Sequence, residues 1–547
     1  MSVGMSIRIF THTTEQVICN NGAQRSRSPG KPAQSSSAWI EYCFAHPEGR
    51  QVMAAGGCSR AGLVPLDLTR GRGEFVYASG TPFSSRDPAS GDVVATVPSS
   101  TVDDVGRAVE RARSAAEAGA AWSRDGALRS RVLQRFGSAL RSEAERLADL
   151  LTREQGKIRS ESLAEVASSA SMVEYYAGLS RWLAGRALPF GEEADGVILR
   201  EPVGVVAIIT PWNWPITLLV RSLAPALAAG NVCVVKPASL TPAISVEALA
   251  LLAADKELPR GVLGCVLGPG ATVGDALVGS PGVDMVAFTG ESKTGASVMQ
   301  RAATPPKKVA LELGGKSANI VFADAGMEKA VAGAQNAIFT TSGQICTAGS
   351  RLLVERAIYG EFVDRLVEIT VNMRIGDGLD PDVDMGPLVS RGQVKTVLEY
   401  LELAREEGTI LCGGGVLDVR GCATGSFVAP TIVADLDGCS RVLREEIFGP
   451  VLCVQPFESA DEAIELANET DFGLAAGLWT RDLDRALRVV RRLRAGTIWV
   501  NTYHHFYAEA EDGGFKQSGV GRQQGVEGLY AYTETKHVNF STAESLW

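Results

Sequence analysis

The stretch 204-GVVAIITPWNWP-215 decides how this chain is read. Its first half is continuously apolar and stops at Thr210 and Pro211. A strand with one wet face alternates polar and apolar residues, so an unbroken run of this length calls for a strand buried on both faces. Similar runs recur at 232–235, 262–267 and 285–289, and again at 317–322, 351–355, 451–454 and 496–501. Helical periodicity fills 102–118, with Ser100 and Thr101 as candidate caps, and also 127–155, 160–183 and 225–229. Strands alternating with helices predict an α/β chain with doubly wound, mostly parallel sheets and right-handed crossovers. Two further short strands are expected at 74–78 and 93–97, around a turn at 87–92.

A chain of 547 residues exceeds what one simple core encloses, so several structural units are expected. Apolar residues make up 45% and charged residues 21%, the balance of a globular protein rather than a disordered one. The formal net charge of −10 argues against a general nucleic-acid or anionic-membrane surface, so neither partner is expected. No run approaches the roughly 18 apolar residues of a membrane helix. The ten cysteines are scattered without CxxC spacing, and only five histidines are present, with no HExxH, so neither a disulfide framework nor a metal site is expected. A reducing, cytoplasmic setting fits this usage. Residues 1–70 differ from the rest. Ser, Arg, Pro and Gly crowd 22–37 without period, and the segment is read as a disordered tail, a transit-like leader or an upstream start.

Three segments place a reactive side chain beside small residues. In 340-TTSGQICTAGS-350, Cys346 stands where little bulk shields the sulfur; a buried structural cysteine is the plain alternative. In 310-ALELGGK-316, Glu312 interrupts an apolar strand just before two glycines, a costly place for an inward carboxylate without a role; an exposed strand face is the plain alternative. In 210-TPWNWP-215, Asn213 follows a buried strand, where open α/β sheets carry ligand groups, although a turn asparagine would look the same.

Together, TPWNWP, KPASLTP, FTGESKTG, LELGGK, GQIC, EEIFGPV and GGFKQSGVGR follow the order of the aldehyde dehydrogenase superfamily, and the resemblance runs from about residue 73 to about residue 539. Within the superfamily it is to non-acylating, NAD(P)-dependent enzymes of the betaine-aldehyde and semialdehyde dehydrogenase kind. The resemblance implies a cofactor domain (71–183 and 202–314), a catalytic domain (315–517) and a small oligomerisation β-flap (184–201 with 530–547). It implies Cys346 as nucleophile, Glu312 as general base, and Asn213 with the Cys346 N–H as oxyanion donors. For the cofactor, NAD or NADP, it implies Ile209, Thr210, Pro211, Trp212, Lys236, Ser239, Gly270, Gly290, Glu291, Gly295, Glu446 and Phe448. For the tunnel of a small aldehyde it implies Trp214, Leu218, Arg221, Tyr503, Phe506 and Asp512. A homodimer or homotetramer is implied too, with the flap hairpin and the C-terminal strand completing a neighbour's sheet.

Four positions depart from the family. Ser239 stands where NAD-preferring relatives often carry glutamate, which predicts tolerance of NADP. Gln523 replaces a frequent second acid, so proton transfer falls to Glu312. Asp512 and Arg221 replace tunnel residues that are usually aromatic or apolar. Arg221 suits a carboxylate on a semialdehyde and Asp512 an amine, unless the two pair with each other. Coenzyme-A acylation is the nearest alternative activity, and Glu312 opposes it. A cofactor-free cysteine esterase would need a base, for which His504 and His505 are the candidates. A non-enzymatic relative would be expected to lose Cys346 or Glu312.

Overall fold

The computed structural model describes residues 65–68, 75–118, 120–191 and 194–541, all within the unit Gly49–Trp547. The expectation for residues 1–70 therefore falls outside the described residues except at its end. There Leu66–Asp67 is a strand, paired parallel with Ala95 and Thr96, and not part of a structureless tail.

The first large sheet has seven strands in the order Val76–Tyr77, Leu263–Val266, Val232–Lys236, Val205–Ile209, Met285–Thr289, Lys308–Glu312, Gly519–Val520. All neighbours run parallel except the last pair. Every residue of Val205–Ile209, Val232–Lys236 and Met285–Thr289 is buried, the burial that their unbroken apolar runs require. From Val205–Ile209 the chain steps outward through Val232–Lys236 to Leu263–Val266, then crosses to the opposite flank. The sheet's switch point thus lies between Val205–Ile209 and Met285–Thr289, where a crevice opens at the carboxyl ends of the strands.

The second sheet also has seven strands, ordered Thr409–Cys412, Thr431–Ala434, Val451–Phe457, Arg351–Glu355, Ala318–Val321, Ala475–Trp479, Thr497–Val500, with only the first pair antiparallel. Residues 313–317 alone separate the last residue of Lys308–Glu312 from the first of Ala318–Val321. The carboxyl edge of one sheet therefore meets the amino edge of the other. A third, antiparallel sheet joins Thr533–Ser541, Ala194–Pro202 and Arg186–Pro189. The expected flap hairpin and C-terminal strand thus pair with each other inside one chain.

Local chemistry explains where the expected elements shift. The helix Val102–Ala118 starts as its caps imply: Thr101 Oγ1 accepts from Asp104 N–H at 3.2 Å and Asp104 Oδ2 accepts from Thr101 N–H at 2.8 Å. The helix expected over 127–155 is two, Gly126–Ser142 and Ala144–Gln155, because Glu143 leaves helical geometry (φ −99°, ψ 10°) and its N–H closes the first. The helix expected over 160–183 ends at Leu179, before the flap hairpin. Helical structure at 225–229 is the tail of the longer Pro215–Ala228, which opens on a proline whose φ is already helical. The turn at 87–92 joins Gly80–Arg86 to Val93–Ser99; Val76–Tyr77 is not its partner and instead edges the first sheet beside Cys265 and Val266.

Candidate functional site

The candidate residues gather where the two sheets meet. Ile209, Lys236 and Glu312 each end a parallel strand of the first sheet, and Gly290 follows the end of a fourth. Cys346 precedes Arg351–Glu355 and Glu446 precedes Val451–Phe457, both at the amino edge of the second sheet. The glycine pair after Glu312 makes the junction tight. A Cβ on Gly314 would lie 2.2 Å from Glu446 Oε2, and one on Gly315 would lie 2.5 Å from the Cys346 carbonyl oxygen.

Cys346 follows a short 3₁₀ turn, Thr340–Gly343, in which Thr341, Ser342 and Gly343 all take left-handed φ (51°, 56° and 72°). A side chain on Gly343 would strike the Gly449 carbonyl at 2.1 Å, so the cysteine loop and the loop of Glu446 touch backbone to backbone. Cys346 is partly exposed, yet its narrow, poorly hydrated surroundings push the thiol up to about 12. Arg221 opposes that rise, whereas the carboxylates of Asp512, Glu446 and Glu312 add to it.

Glu312 is buried, and its Oε2 has no hydrogen-bond partner. Burial pushes its carboxyl up to about 8, with Arg221 acting against the shift and Asp512 with it. Buried carboxylate oxygens are normally satisfied, so this orphan makes Glu312 a candidate functional group. Asn213 is buried, and its Nδ2 donates to the Gln344 carbonyl at 3.0 Å. One amide hydrogen is thereby used and the second remains.

The remaining strand-end residues form a cradle with donor capacity to spare. Lys236 is buried and its Nζ donates to the Pro237 carbonyl at 2.9 Å, while burial pulls the ammonium down to about 8. Thr210 Oγ1 is buried without a partner. Ser239 Oγ donates to the Gly268 carbonyl at 2.8 Å. Gly270 is open to solvent at the start of a short helical turn, Gly270–Gly274. Gly290 N–H donates to the Glu312 carbonyl at 3.0 Å. Glu291, exposed, precedes the helix Ser292–Arg301. Gly295 lets that helix sit against Leu313, since a Cβ there would meet Leu313 Cδ2 at 2.4 Å. Glu446 Oε1 accepts from Gly315 N–H at 3.0 Å, and burial lifts its carboxyl to about 7. Phe448, at φ 58°, stands edge-on to Trp212 with ring centres 5.3 Å apart; Pro211 beside Trp212 is half-buried. Among the described residues, no group of three or more His, Cys, Asp or Glu is placed to hold a metal ion. No helix among them is long and apolar enough to cross a membrane.

Residues 75–538 match the aldehyde dehydrogenase family. The chain belongs to that family. It is 42% identical over 457 residues to a betaine aldehyde dehydrogenase of Bacillus subtilis (strain 168), covering 83% of this chain and 93% of that protein. Among solved structures it resembles a point mutant of betaine aldehyde dehydrogenase from Staphylococcus aureus in complex with NAD+ (TM-score 0.83, 37% identity, 85% of this chain and 94% of that one). It also resembles an NAD-dependent aldehyde dehydrogenase from Sinorhizobium meliloti (TM-score 0.84, 37% identity, 87% and 95%).

Within this aldehyde dehydrogenase the tunnel candidates divide. Trp214 and the buried Leu218 lie at the start of the helix Pro215–Ala228. Tyr503 is buried and its hydroxyl donates to the Thr347 carbonyl at 3.0 Å, next to Cys346. Phe506 is 44% exposed and packs edge-on against Trp499. Arg221 and Asp512 form an ion pair of 3.1 Å with both side chains buried, so of the possibilities open for these two it is mutual pairing that the fold adopts. Asp512 Oδ1 is further held by Thr497 Oγ1 and by Gly513 N–H, each at 3.0 Å. Gln523 donates to Ser222 Oγ at 3.4 Å and brings no acid to the site. Sequence reasoning missed Gly314, which admits the Glu446 carboxylate. The doubled glycine of LELGGK was the visible sign of it.

Proposed function

We propose that this chain oxidises an aldehyde to its carboxylic acid through a thioester on Cys346, with NAD or NADP as hydride acceptor. The observation that carries the reading is the unpartnered carboxylate of Glu312, buried at the same sheet junction as Cys346 in a chain of this family. The Cys346 sulfur adds to the aldehyde carbon, and its proton leaves as the C–S bond forms. The second Asn213 amide hydrogen and the Cys346 N–H stabilise the oxyanion. NAD or NADP, held by residues such as Lys236 and Glu446, would supply the acceptor for the hydride lost as the carbonyl re-forms, and Cys346 would be left carrying the acyl group as a thioester. Glu312 takes a proton from water, which attacks the acyl carbon and releases the acid and the Cys346 thiol. Water activation by Glu312 favours hydrolysis over transfer to coenzyme A.

Lys236, Thr210 and Glu446 suit the cofactor, because Lys236 uses one of its three donors internally and Thr210 Oγ1 is free. Both are hydroxyl-binding groups of the kind a ribose needs. Ser239 carries no charge to repel a 2′-phosphate, and Lys236 lies three residues before it, which supports NADP use alongside NAD. The first sheet with its helices is assigned to the cofactor, the second to catalysis, and the third to a dimer or tetramer contact through its open edge strand Thr533–Ser541. The described cysteines are free thiols, and a cytoplasmic location would keep Cys346 reduced. Purified protein assayed with an aldehyde panel and either cofactor tests the reading: NAD(P)H must form, and Cys346→Ala must abolish it.

A further inference from the structure

Two loops must keep a fixed separation for an oxyanion to fit between Asn213 and the Cys346 N–H. One follows Val205–Ile209 and carries Asn213; the other follows Met327–Phe339 and carries Cys346. Both are held from behind by one short stretch of chain, residues 157–165, which precedes and enters the helix Arg159–Leu179.

On the Asn213 side, Glu165 Oε1 accepts from Ile216 N–H at 2.8 Å and from Thr217 N–H at 3.2 Å. These are free donors of the first turn of Pro215–Ala228, which begins two residues after Asn213. The other oxygen, Glu165 Oε2, accepts from Lys157 Nζ at 2.6 Å, and neither side chain reaches solvent. The same ammonium lies 4.0 Å above the ring of Trp214, the neighbour of Asn213. On the Cys346 side, Glu161 Oε1 accepts from Thr341 N–H at 2.9 Å and Glu161 Oε2 from Thr341 Oγ1 at 3.2 Å. Thr341 is the first of the three left-handed residues that turn the chain toward Cys346, a conformation that a β-branched residue adopts only under constraint.

Glu161 and Glu165 lie four residues apart, on one face of one helix, so their separation is set by the helix itself. The two loops then meet in front of that helix: Asn213 Nδ2 donates to the Gln344 carbonyl at 3.0 Å, and Gln344 Nε2 donates back to the Thr341 carbonyl at 3.0 Å. The result is a closed ring running Glu165, helix start, Asn213, Gln344, Thr341, Glu161. Lys157 faces both carboxylates.

We infer that Glu161, with Glu165 and Lys157 behind it, is a positioning residue that sets the gap between the Asn213 amide and the Cys346 loop, and with it the rate of the oxyanion-forming step. The inference rests on the roles proposed above for Cys346 and Asn213. Its burden falls on Glu161 because this one carboxylate takes both the N–H and the hydroxyl of Thr341, the residue at which the strained turn begins. None of the three groups touches the reacting atoms.

The test compares Glu161→Ala, Glu161→Gln and the unaltered chain in rapid-mixing assays of the NAD(P)H burst, alongside steady-state kinetics, cofactor Kd and Tm. Glu161→Gln keeps an acceptor for Thr341 N–H, whereas Glu161→Ala keeps none. The expected result is a burst rate lower by about 10- to 100-fold in Glu161→Ala, less than the roughly 100- to 1000-fold lost when an oxyanion donor is itself removed, because the donors remain but are displaced. KM for the aldehyde and Kd for the cofactor should stay within about twofold, and Glu161→Gln should recover most of the burst rate. A Glu161→Ala burst within about twofold of the unaltered chain overturns the inference. So does a loss confined to Tm or cofactor Kd, or one that Glu161→Gln does not relieve. If the unaltered chain itself forms no NAD(P)H with any aldehyde, the proposed function fails instead, so the two failures are distinct.

Discussion

Arg221 and Asp512 sit 3.1 Å apart as a buried ion pair. Asp512 is also bound by Thr497 and Gly513, so the pair is locked from the acidic side. Arg221 acts to lower the pKa of both Cys346 and Glu312, and Arg522 adds to the effect at Glu312. The pair therefore belongs to the electrostatics of the catalytic residues as much as to the shape of the tunnel.

Removing the cation leaves the Asp512 carboxylate uncompensated beside two groups that must ionise. Arg221→Ala is expected to move the rising limb of the pH–rate profile to higher pH, because Glu312 and Cys346 both lose the charge that opposes their upward shift. KM for an aldehyde bearing a distal carboxylate should change by less than about threefold, since the Arg221 charge is already paired with Asp512 through Nη1, even though its Nε and Nη2 carry no partner. A tenfold rise in KM confined to the anionic aldehyde, with the pH limb unmoved, would instead make Arg221 a substrate clamp.

Glu312 acts as a base only when ionised, and burial holds its carboxyl at about 8. At pH 7 roughly one molecule in ten carries the charged form. Hydrolytic turnover should therefore rise with pH through about 8 and level off above it. In Glu312→Gln, a single burst of NAD(P)H per active site is expected, followed by turnover at least about 100-fold slower. Unchanged steady-state turnover in this variant would remove Glu312 from deacylation.

Ser239, proposed above as a cofactor contact, is uncharged, and its hydroxyl donates to the Gly268 carbonyl. Ser239→Glu should lower kcat/KM with NADP by at least about tenfold, some 1.4 kcal/mol, while NAD use is kept. Equal response of both cofactors would place the 2′-position away from this residue, as would a natural preference for NAD above about a hundredfold.

Lys157 and Glu165 lie wholly out of solvent, so loss of one leaves the other charged and unpaired. Lys157→Met is expected to destabilise the fold by about 3–5 kcal/mol, readable in chemical denaturation. A change below about 1 kcal/mol would mean that Glu165 finds other compensation.

Much of this architecture was legible in the residues. Val205–Ile209 and Met285–Thr289 announced themselves because burial on both faces leaves no alternation to misread. Cys346, Glu312 and Asn213 stood out because each breaks the local pattern (a thiol among small residues, an acid in an apolar strand, an amide after a strand end), but each had a plain alternative, and only the resemblance joined them into one site. What the sequence withheld depends on partners distant in the chain. Val76–Tyr77 belongs to the sheet edge only because Leu263–Val266 is there to receive it. Gly519–Val520 returns to Leu311 and Glu312 across some two hundred residues. The break at Glu143 has no proline or glycine to signal it. Glu161 and Glu165, four apart on a helix, look like a solvated face until Thr341 and Ile216 are brought against them. Whether Arg221 met a substrate or Asp512 was likewise a question of approach across the fold.

The central claim is that Cys346 carries the acyl group during aldehyde oxidation, and the most direct measurement is a rapid quench during turnover followed by intact-mass and peptide analysis. With excess aldehyde and NAD(P), the account predicts an added acyl mass on the peptide containing Cys346. It should accumulate in Glu312→Gln and be absent from Cys346→Ala. Formation of NAD(P)H with no adduct on that peptide, in the unaltered chain and in Glu312→Gln alike, would contradict it.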